Sequence, residues 1–446
     1  MSPLSVLRIW GLGLFSWALL GLGIYLAVKA YDEFDDAAAV AHFPGGVPAF
    51  DDARLSDNQL SDNQLDNVRP AEELDDDLRA DRRRAADGAV VLPRDGNRPK
   101  AWALVAGAVA CLGMSLFGYW PISWMLRGGT NKPRSQIKPT ETVVVGRPDG
   151  SQLHVEVYGS NSRPTLLLTH GWTLDASAWD YIKGDLANRY RIVAWDLPGL
   201  GRSRGPNNAD YSLEKMAGDL EAVMHATSTS QPTVLVGHSI GGMIVQNFCR
   251  LFPHHLTQSV HAVVLIHTTY INPLRTITAA TLCTALEKPL IVPLNYLTIA
   301  LAPLAWLSNW QSYYNGSLHL TSRLMSFTGH QSWEQIDHSS LLAARAWPAT
   351  VARGNLGMFK LDEASTLSQL PISALVVGGA NDLVTRPFAA RRISELVPND
   401  RPVTDPGGHL GYWEFSDIVI ESIDEFMQGL SATGKGALDP SLAHTR

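Results

Sequence analysis

The run Thr233-Val-Leu-Val236 passes without interruption into Gly237-His-Ser-Ile-Gly241, and the helical pattern Gly242 to Arg250 follows at once. A strand that must become a helix within so few residues confines the chain to folds that alternate the two elements. Such a turn holds Ser239 in a strained backbone conformation. Gly237 and Gly241 have no side chains to clash across it. The helix start behind Ser239 supplies unpaired N–H groups and the positive end of a dipole. A serine placed there is a candidate nucleophile.

The surrounding sequence repeats the alternation. Thr142 to Val145 and Leu153 to Tyr158 flank the turn Pro148-Asp-Gly150 and predict a hairpin. Thr165–Leu168, Arg191–Ala194, Ala262–Ile266 and Ala374–Val377 are short apolar runs separated by helical stretches. Near-continuous apolar strands of this kind predict a mostly parallel sheet covered by helices on both faces, over residues 141–430.

Leu168-Thr-His-Gly-Trp172 closes one predicted strand, and Ala194-Trp-Asp-Leu-Pro-Gly-Leu-Gly-Arg-Ser203 follows the next. With the Ser239 pentad these motifs resemble the α/β-hydrolase family. The resemblance implies an oxyanion hole formed by the backbone N–H groups of Trp172 and Ile240. It also implies support of the elbow and oxyanion loop by His170, Gly171, Gly237, His238 and Gly241. His170 and His238 are expected to serve packing and loop hydrogen bonding, and Asp196 and Ser203 to stabilise a turn. A triad in the order Ser, acid, His falls on Ser239, on Asp382 at the end of the run Val376 to Asp382, and on His409 in Pro406-Gly-Gly-His-Leu-Gly-Tyr412. The other acid position of the family, after Ile266, holds His267 and no carboxylate. Asp405 is the weaker candidate acid, being too near His409 in sequence to reach across the site. A serine nucleophile disfavours the relatives that need a carboxylate there, haloalkane dehalogenases and epoxide hydrolases.

Two uncharged runs, Ile9–Val28 and Ala101–Leu126, are each long enough to cross a bilayer as a helix. The first is long for a signal peptide. The second ends in Phe117-Gly-Tyr-Trp-Pro-Ile-Ser-Trp124, and aromatic residues suit the headgroup interface. Residues 31–98 between them hold 17 Asp and Glu against 8 Arg, more negative than the −7 of the whole chain. Too little there can be buried to offset chain entropy, so a disordered spacer is expected. The predicted order is a first span in 1–30, an acidic loop in 31–100, a second span in 101–126, a linker in 127–140, the hydrolase in 141–430 and a disordered tail in 431–446. Because both spans precede the hydrolase, a chain beginning near Arg134 is expected to fold and remain soluble. Two spans place the N-terminus and hydrolase on one side. Five Lys and Arg near the span ends on that side, against four on the loop side, assign it to the cytoplasm.

Between Pro273 and Leu367 lies an insertion read as a helical cap at 274–366. Its centre, Pro289 to Trp306, carries no charge, and its three prolines argue against a straight span. It either packs on the core or lies against the bilayer as an apolar lid. Trp306, Trp310, Tyr313 and Tyr314 are candidates for an acyl pocket or for the core. No basic stripe marks a nucleic-acid surface. Cys111, Cys249 and Cys283 form no CxxC pair, so neither a metal site nor a disulfide framework is expected. No cofactor is needed for the chemistry that the resemblance implies. The leading expectation is hydrolysis of a lipophilic carboxylic ester through an acyl-enzyme on Ser239, with a small-molecule or lipid ester and the bilayer as partners. A perhydrolase (haloperoxidase-like) or C–C bond hydrolase with the same triad is the alternative, and a non-catalytic membrane-bound binding protein a third.

Overall fold

The structure, a computed structural model, describes residues 4–41, 98–129 and 133–432. Most of the acidic loop and nearly all of the tail from 431 lie outside them. Contacts divide the chain into two compact units, residues 1–18 with 113–446, and residues 19–112.

The smaller unit consists of the rest of helix α1 (Ser5–Ala41) and most of helix α2 (Arg98–Phe117). Gly23 lies against Leu112, and Gly107 against Leu26. Small residues let two apolar helices approach closely where hydrophobic association is weak. Phe34 and Trp102 meet edge to face at 5.5 Å, and Lys100 pairs with Glu33. Both helices are long and apolar enough to cross a membrane. The second apolar run is not one helix to Leu126, as its composition had predicted. It turns at Gly118, and a short helix α3 (Tyr119–Met125) follows. A Cβ on Gly118 would lie 2.4 Å from the carbonyl oxygen of Asn315, so the glycine permits the close approach of the cap at this turn.

In the larger unit an eight-stranded sheet runs β1 (Glu141–Gly146), β2 (Gln152–Tyr158), β4 (Arg191–Trp195), β3 (Thr165–Thr169), β5 (Thr233–His238), β6 (Val260–Ile266), β7 (Ser373–Gly379) and β8 (Asp400–Asp405) across its width. β1 and β2 form the predicted hairpin, with Gly150 at φ 85°, and β2 meets β4 antiparallel. All later pairings are parallel. The period of two separates two cores. Leu167, Val193, Leu235, Val263 and Val376 face helices α5 (Leu213–Ala226) and α6 (Ile240–Leu251). Leu166, Leu168, Val234, Val264 and Leu375 face Ile182 and Leu186 of helix α4 (Asp180–Leu186) and, from the C-terminal helix (Ser416–Ala432), Ile423 and Phe426. Each buried aliphatic side chain of this kind contributes about 1.5–3 kcal/mol.

The insertion after β6 is helical, and the bridge between Ile271 and Asp362 draws its two ends together. Its helices are α7 (Ala280–Leu286), α8 (Val292–Ala300), α9 (Ala302–Tyr314), α10 (Ser317–Ser326), α11 (Trp333–Arg345) and α12 (Pro348–Met358). Pro293 and Pro303 sit in the first turns of α8 and α9, where no N–H is missed. The segment Ala280–Ala300 meets α9 at 98°, so this run is no straight span, as the prolines had indicated. The Glu414 carboxylate ties the cap to the C-terminal loop by accepting from the backbone N–H groups of Thr328, His330 and Gln331.

Residues 4–18 are joined to this unit, which the sequence did not anticipate. Leu4 and Leu7 pack against Leu274, Ile277 and Ile291, and Leu12 against the cluster around Leu318 and Ala343. A chain beginning at Arg134 would expose these faces and leave several buried polar groups without partners, at about 1–3 kcal/mol each. It should therefore aggregate, or melt well below the full-length protein in detergent. A soluble monomer with an unchanged melting temperature would refute this.

Candidate active site

Ser239 closes β5 and caps α6 with φ 54° and ψ −119°, a left-handed conformation that ordinary residues avoid. The glycines around it are required sterically. A Cβ on Gly237 would lie 2.4 Å from the backbone of Gly241, and one on Gly241 would lie 2.1 Å from the Thr169 carbonyl oxygen. Thr268 Oγ1 donates to the Ser239 carbonyl at 2.6 Å and fastens the elbow to the end of β6.

The three sequence-predicted side chains converge. Ser239 Oγ and His409 Nε2 are 2.9 Å apart, and His409 Nδ1 and Asp382 Oδ2 are 2.8 Å apart. All three residues are buried. Asp382 Oδ1 accepts from the backbone N–H groups of Val384 and Thr385 at 2.7 and 2.9 Å, and Oδ2 accepts from Thr385 Oγ1 at 2.7 Å. Burial acts to raise the Asp382 carboxyl, but the neighbouring His409 and these hydrogen bonds outweigh it and hold it below the usual carboxylate range. It is ionised at neutral pH.

Burial pushes the His409 imidazole down to about 4, against the opposing pull of Asp382. The group that accepts the serine proton must be neutral. Protonation therefore removes the base only as pH falls through the lowered value. The expected kcat/KM profile for a neutral ester has its acid limb near pH 4 and is flat by pH 6. A limb at the ordinary histidine value of about 6.5 would contradict this.

Trp172 follows β3, and its indole Nε1 donates to the Val351 carbonyl of α12 at 3.1 Å. Among the described residues, no backbone carbonyl accepts from the N–H of Trp172 or of Ile240. His170 bridges two loops, with Nε2 accepting from the Leu197 N–H at 2.9 Å and Nδ1 2.8 Å from the Gly171 carbonyl. His238 Nε2 donates to the His409 carbonyl at 2.9 Å. Gly171 is needed beside it, because a Cβ there would lie 2.5 Å from His238 Nδ1. Asp196 accepts from the N–H groups of Ala176 and Arg202, and Ser203 Oγ donates to the Asp196 carbonyl.

A second buried histidine–carboxylate pair stands behind the first. His267, at φ 43° after β6, has Nε2 2.6 Å from Asp405 Oδ2 and Nδ1 3.1 Å from the His409 carbonyl oxygen. Both neighbours are acceptors, so both ring nitrogens must carry protons. Burial alone would lower His267, yet Asp405 prevails and raises it to about 9. The His409 carbonyl thus accepts from His238 and from a charged His267 at once. Sequence reasoning placed both His267 and Asp405 but not their meeting. The signal was the empty acid position after β6 together with Asp405, a second aspartate just before the His409 loop. Among the described residues, no group of three or more His, Cys, Asp or Glu could hold a metal.

The chain resembles known proteins. A segment of 108 residues is 33% identical to a probable oxidoreductase, EphD, of Mycobacterium tuberculosis, covering 24% of this chain but 18% of that one. The chain is 24% identical over 281 residues to a pimeloyl-[acyl-carrier protein] methyl ester esterase of Nitrosomonas europaea, covering 61% of this chain and 99% of the relative. A thermophilic esterase from Thermogutta terrifontis has the same fold, with a TM-score of 0.52 and 23% identity over 65% of this chain and 98% of that one. The family model described as alpha/beta hydrolase fold matches residues 164–416. That match takes in Trp172, Ser239, the cap, Asp382 and His409, and it spans more than half of the chain, which therefore belongs to the α/β-hydrolase family.

Proposed function

We propose that the protein is a membrane-anchored serine hydrolase that cleaves lipophilic carboxylic esters. The observation that carries the reading is the unbroken relay of 2.9 and 2.8 Å from Ser239 through His409 to Asp382. Ser239 Oγ attacks the ester carbonyl carbon while its proton passes to His409 Nε2. The developing oxyanion is met by the N–H groups of Trp172 and Ile240. His409 then returns the proton to the departing alkoxide, which leaves as the alcohol. A water molecule, deprotonated by His409, attacks the acyl-enzyme and frees the acid. Asp382 keeps the proton of the neutral imidazole on Nδ1 and stabilises the cation between these steps. No step calls on a cofactor.

The esterases among the relatives and fold neighbours support the reaction class. The two apolar helices support residence in a membrane. We assign the N-terminus and hydrolase to the cytoplasmic side, with the acidic loop opposite. Protease outside intact spheroplasts should then cut the loop and spare the hydrolase. A fluorophosphonate should label the wild-type enzyme at Ser239, and a series of p-nitrophenyl esters should be turned over with a preference for longer acyl chains. Labelling without hydrolysis of any ester would exclude the reading and favour a perhydrolase or C–C hydrolase.

A further inference from the structure

The leading half of α1 joins the cap through polar bonds set in an apolar contact. Trp10 Nε1 donates to Thr298 Oγ1 at 2.9 Å, and Trp17 Nε1 donates to Ser308 Oγ at 3.0 Å. Asn315 Nδ2 donates to Ser16 Oγ at 2.6 Å, and Asn355 Nδ2 donates to Ser5 Oγ at 3.0 Å. Hydroxyl and amide side chains serve helix association in lipid in this way. Trp10 and Trp17 belong to a helix long and apolar enough to span, so Thr298 of α8 and Ser308 of α9 share their depth. Those two cap helices are the ones that meet at a sharp bend. They leave Tyr296, Leu297, Leu304 and Leu307 45–61% exposed, an apolar face too continuous for water but suited to lipid.

Beneath the first turns of α1 lies a cavity of about 300 Å³, lined by Leu4, Leu7, Arg8, Met325, Ser326 and Val384 among others. Its wall adjoins the catalytic machinery twice. The Val384 N–H holds Asp382 Oδ1, and the Ser326 carbonyl accepts from the N–H of Leu410, next to His409, at 2.9 Å. The same turn of α1 borders the oxyanion side, because Ser5 is held by Asn355 of α12. That helix packs so tightly on Trp172 that a Cβ on Gly354 would lie 2.1 Å from the indole. Arg8 is the one charged residue on the lining.

We propose that the cap sits within one leaflet of the bilayer, and that a long-chain ester passes from the lipid into this cavity and lays its acyl chain against Leu4, Leu7 and Met325. The inference rests on the ester-hydrolase reading and adds the route and the acyl site. The first span is then part of the substrate pocket as well as an anchor. Leu7 and Met325, from α1 and from the cap, become determinants of chain length.

The full-length enzyme in phosphatidylcholine vesicles provides the test, with active sites titrated by a fluorophosphonate. Leu7→Trp and Met325→Trp fill the cavity from opposite walls. Each should lower the ratio of kcat/KM for p-nitrophenyl palmitate to that for the butyrate by about ten-fold or more. A ratio within two-fold of wild type in both variants overturns the acyl site. A nitroxide attached at Leu304→Cys, with the three native cysteines replaced, should be more accessible to oxygen than to a polar nickel chelate. The opposite order overturns the seating of the cap. A wild-type enzyme that no fluorophosphonate titrates would instead remove the ester-hydrolase reading itself, an outcome distinct from both.

Discussion

Ser239→Ala should lower kcat by about 10⁵–10⁶ while leaving the fold intact, because removing the nucleophile of such a relay costs about as much as removing all of its members. Among the described residues, Ser239 Oγ meets one side chain, His409, at Nε2. Its loss frees no other buried group and breaks no structural bond. The backbone cost is already present in the wild type, since φ 54° is as unfavourable for alanine as for serine. Holding a residue there stores about 1–3 kcal/mol. Ser239→Gly should be equally inactive yet melt higher, by an amount matching about 1 kcal/mol. Steady-state kinetics and thermal melts of both variants check the pair of outcomes. Near wild-type ester hydrolysis by Ser239→Ala would end the assignment.

Asp382→Asn should cost about 10⁴ in kcat, and the surrounding bonds explain the direction. Two backbone N–H groups grip Oδ1, so the amide oxygen of an asparagine must take that place. Its NH₂ group then faces His409 Nδ1 and donates to it. The imidazole proton is forced onto Nε2, the nitrogen that must accept from Ser239. Asp405→Asn meets His267 instead and leaves the His409 tautomer alone. It should cost at least a hundred-fold less. If Asp405→Asn proved the more damaging of the two, the acid of the relay would have been misidentified.

Much of this was legible in the residues because the parts are local. β3, β5, β6 and β7 are buried apolar runs, and the elbow, the oxyanion loop and the His409 loop are each continuous motifs. Their order along the chain matches the order in which a parallel sheet delivers them to one edge. β8 was not legible. Asp400-Arg-Pro-Val-Thr-Asp405 is polar and contains a proline, as suits an edge strand that pairs on one side alone. The His267–Asp405 pair escaped for a different reason. It joins residues 138 positions apart, and neither belongs to a motif. The helix break at Gly118 was hidden because composition across it stays apolar. Only the approach of the Asn315 carbonyl shows why a glycine stands there. The attachment of α1 to the cap was invisible to periodicity, since an apolar stretch reads the same whether its neighbour is lipid or protein.

The bond between Trp10 and Thr298 closes over 288 residues, and that between Trp17 and Ser308 over 291. At synthesis rates of about 5–20 residues per second, α1 leaves the ribosome roughly 15–60 s before its partners on the cap exist. During that interval Ser16 Oγ can satisfy itself on the Leu12 carbonyl, as it does at 2.7 Å in the finished protein. Among the described residues, neither indole has a local acceptor of this kind. Geometry fixes one part of the order: the bonds between α1 and the cap can close only after residues 298 and 308 have been made. Until those bonds close, the face of the cap that carries Thr298 and Ser308 lacks its partner helix.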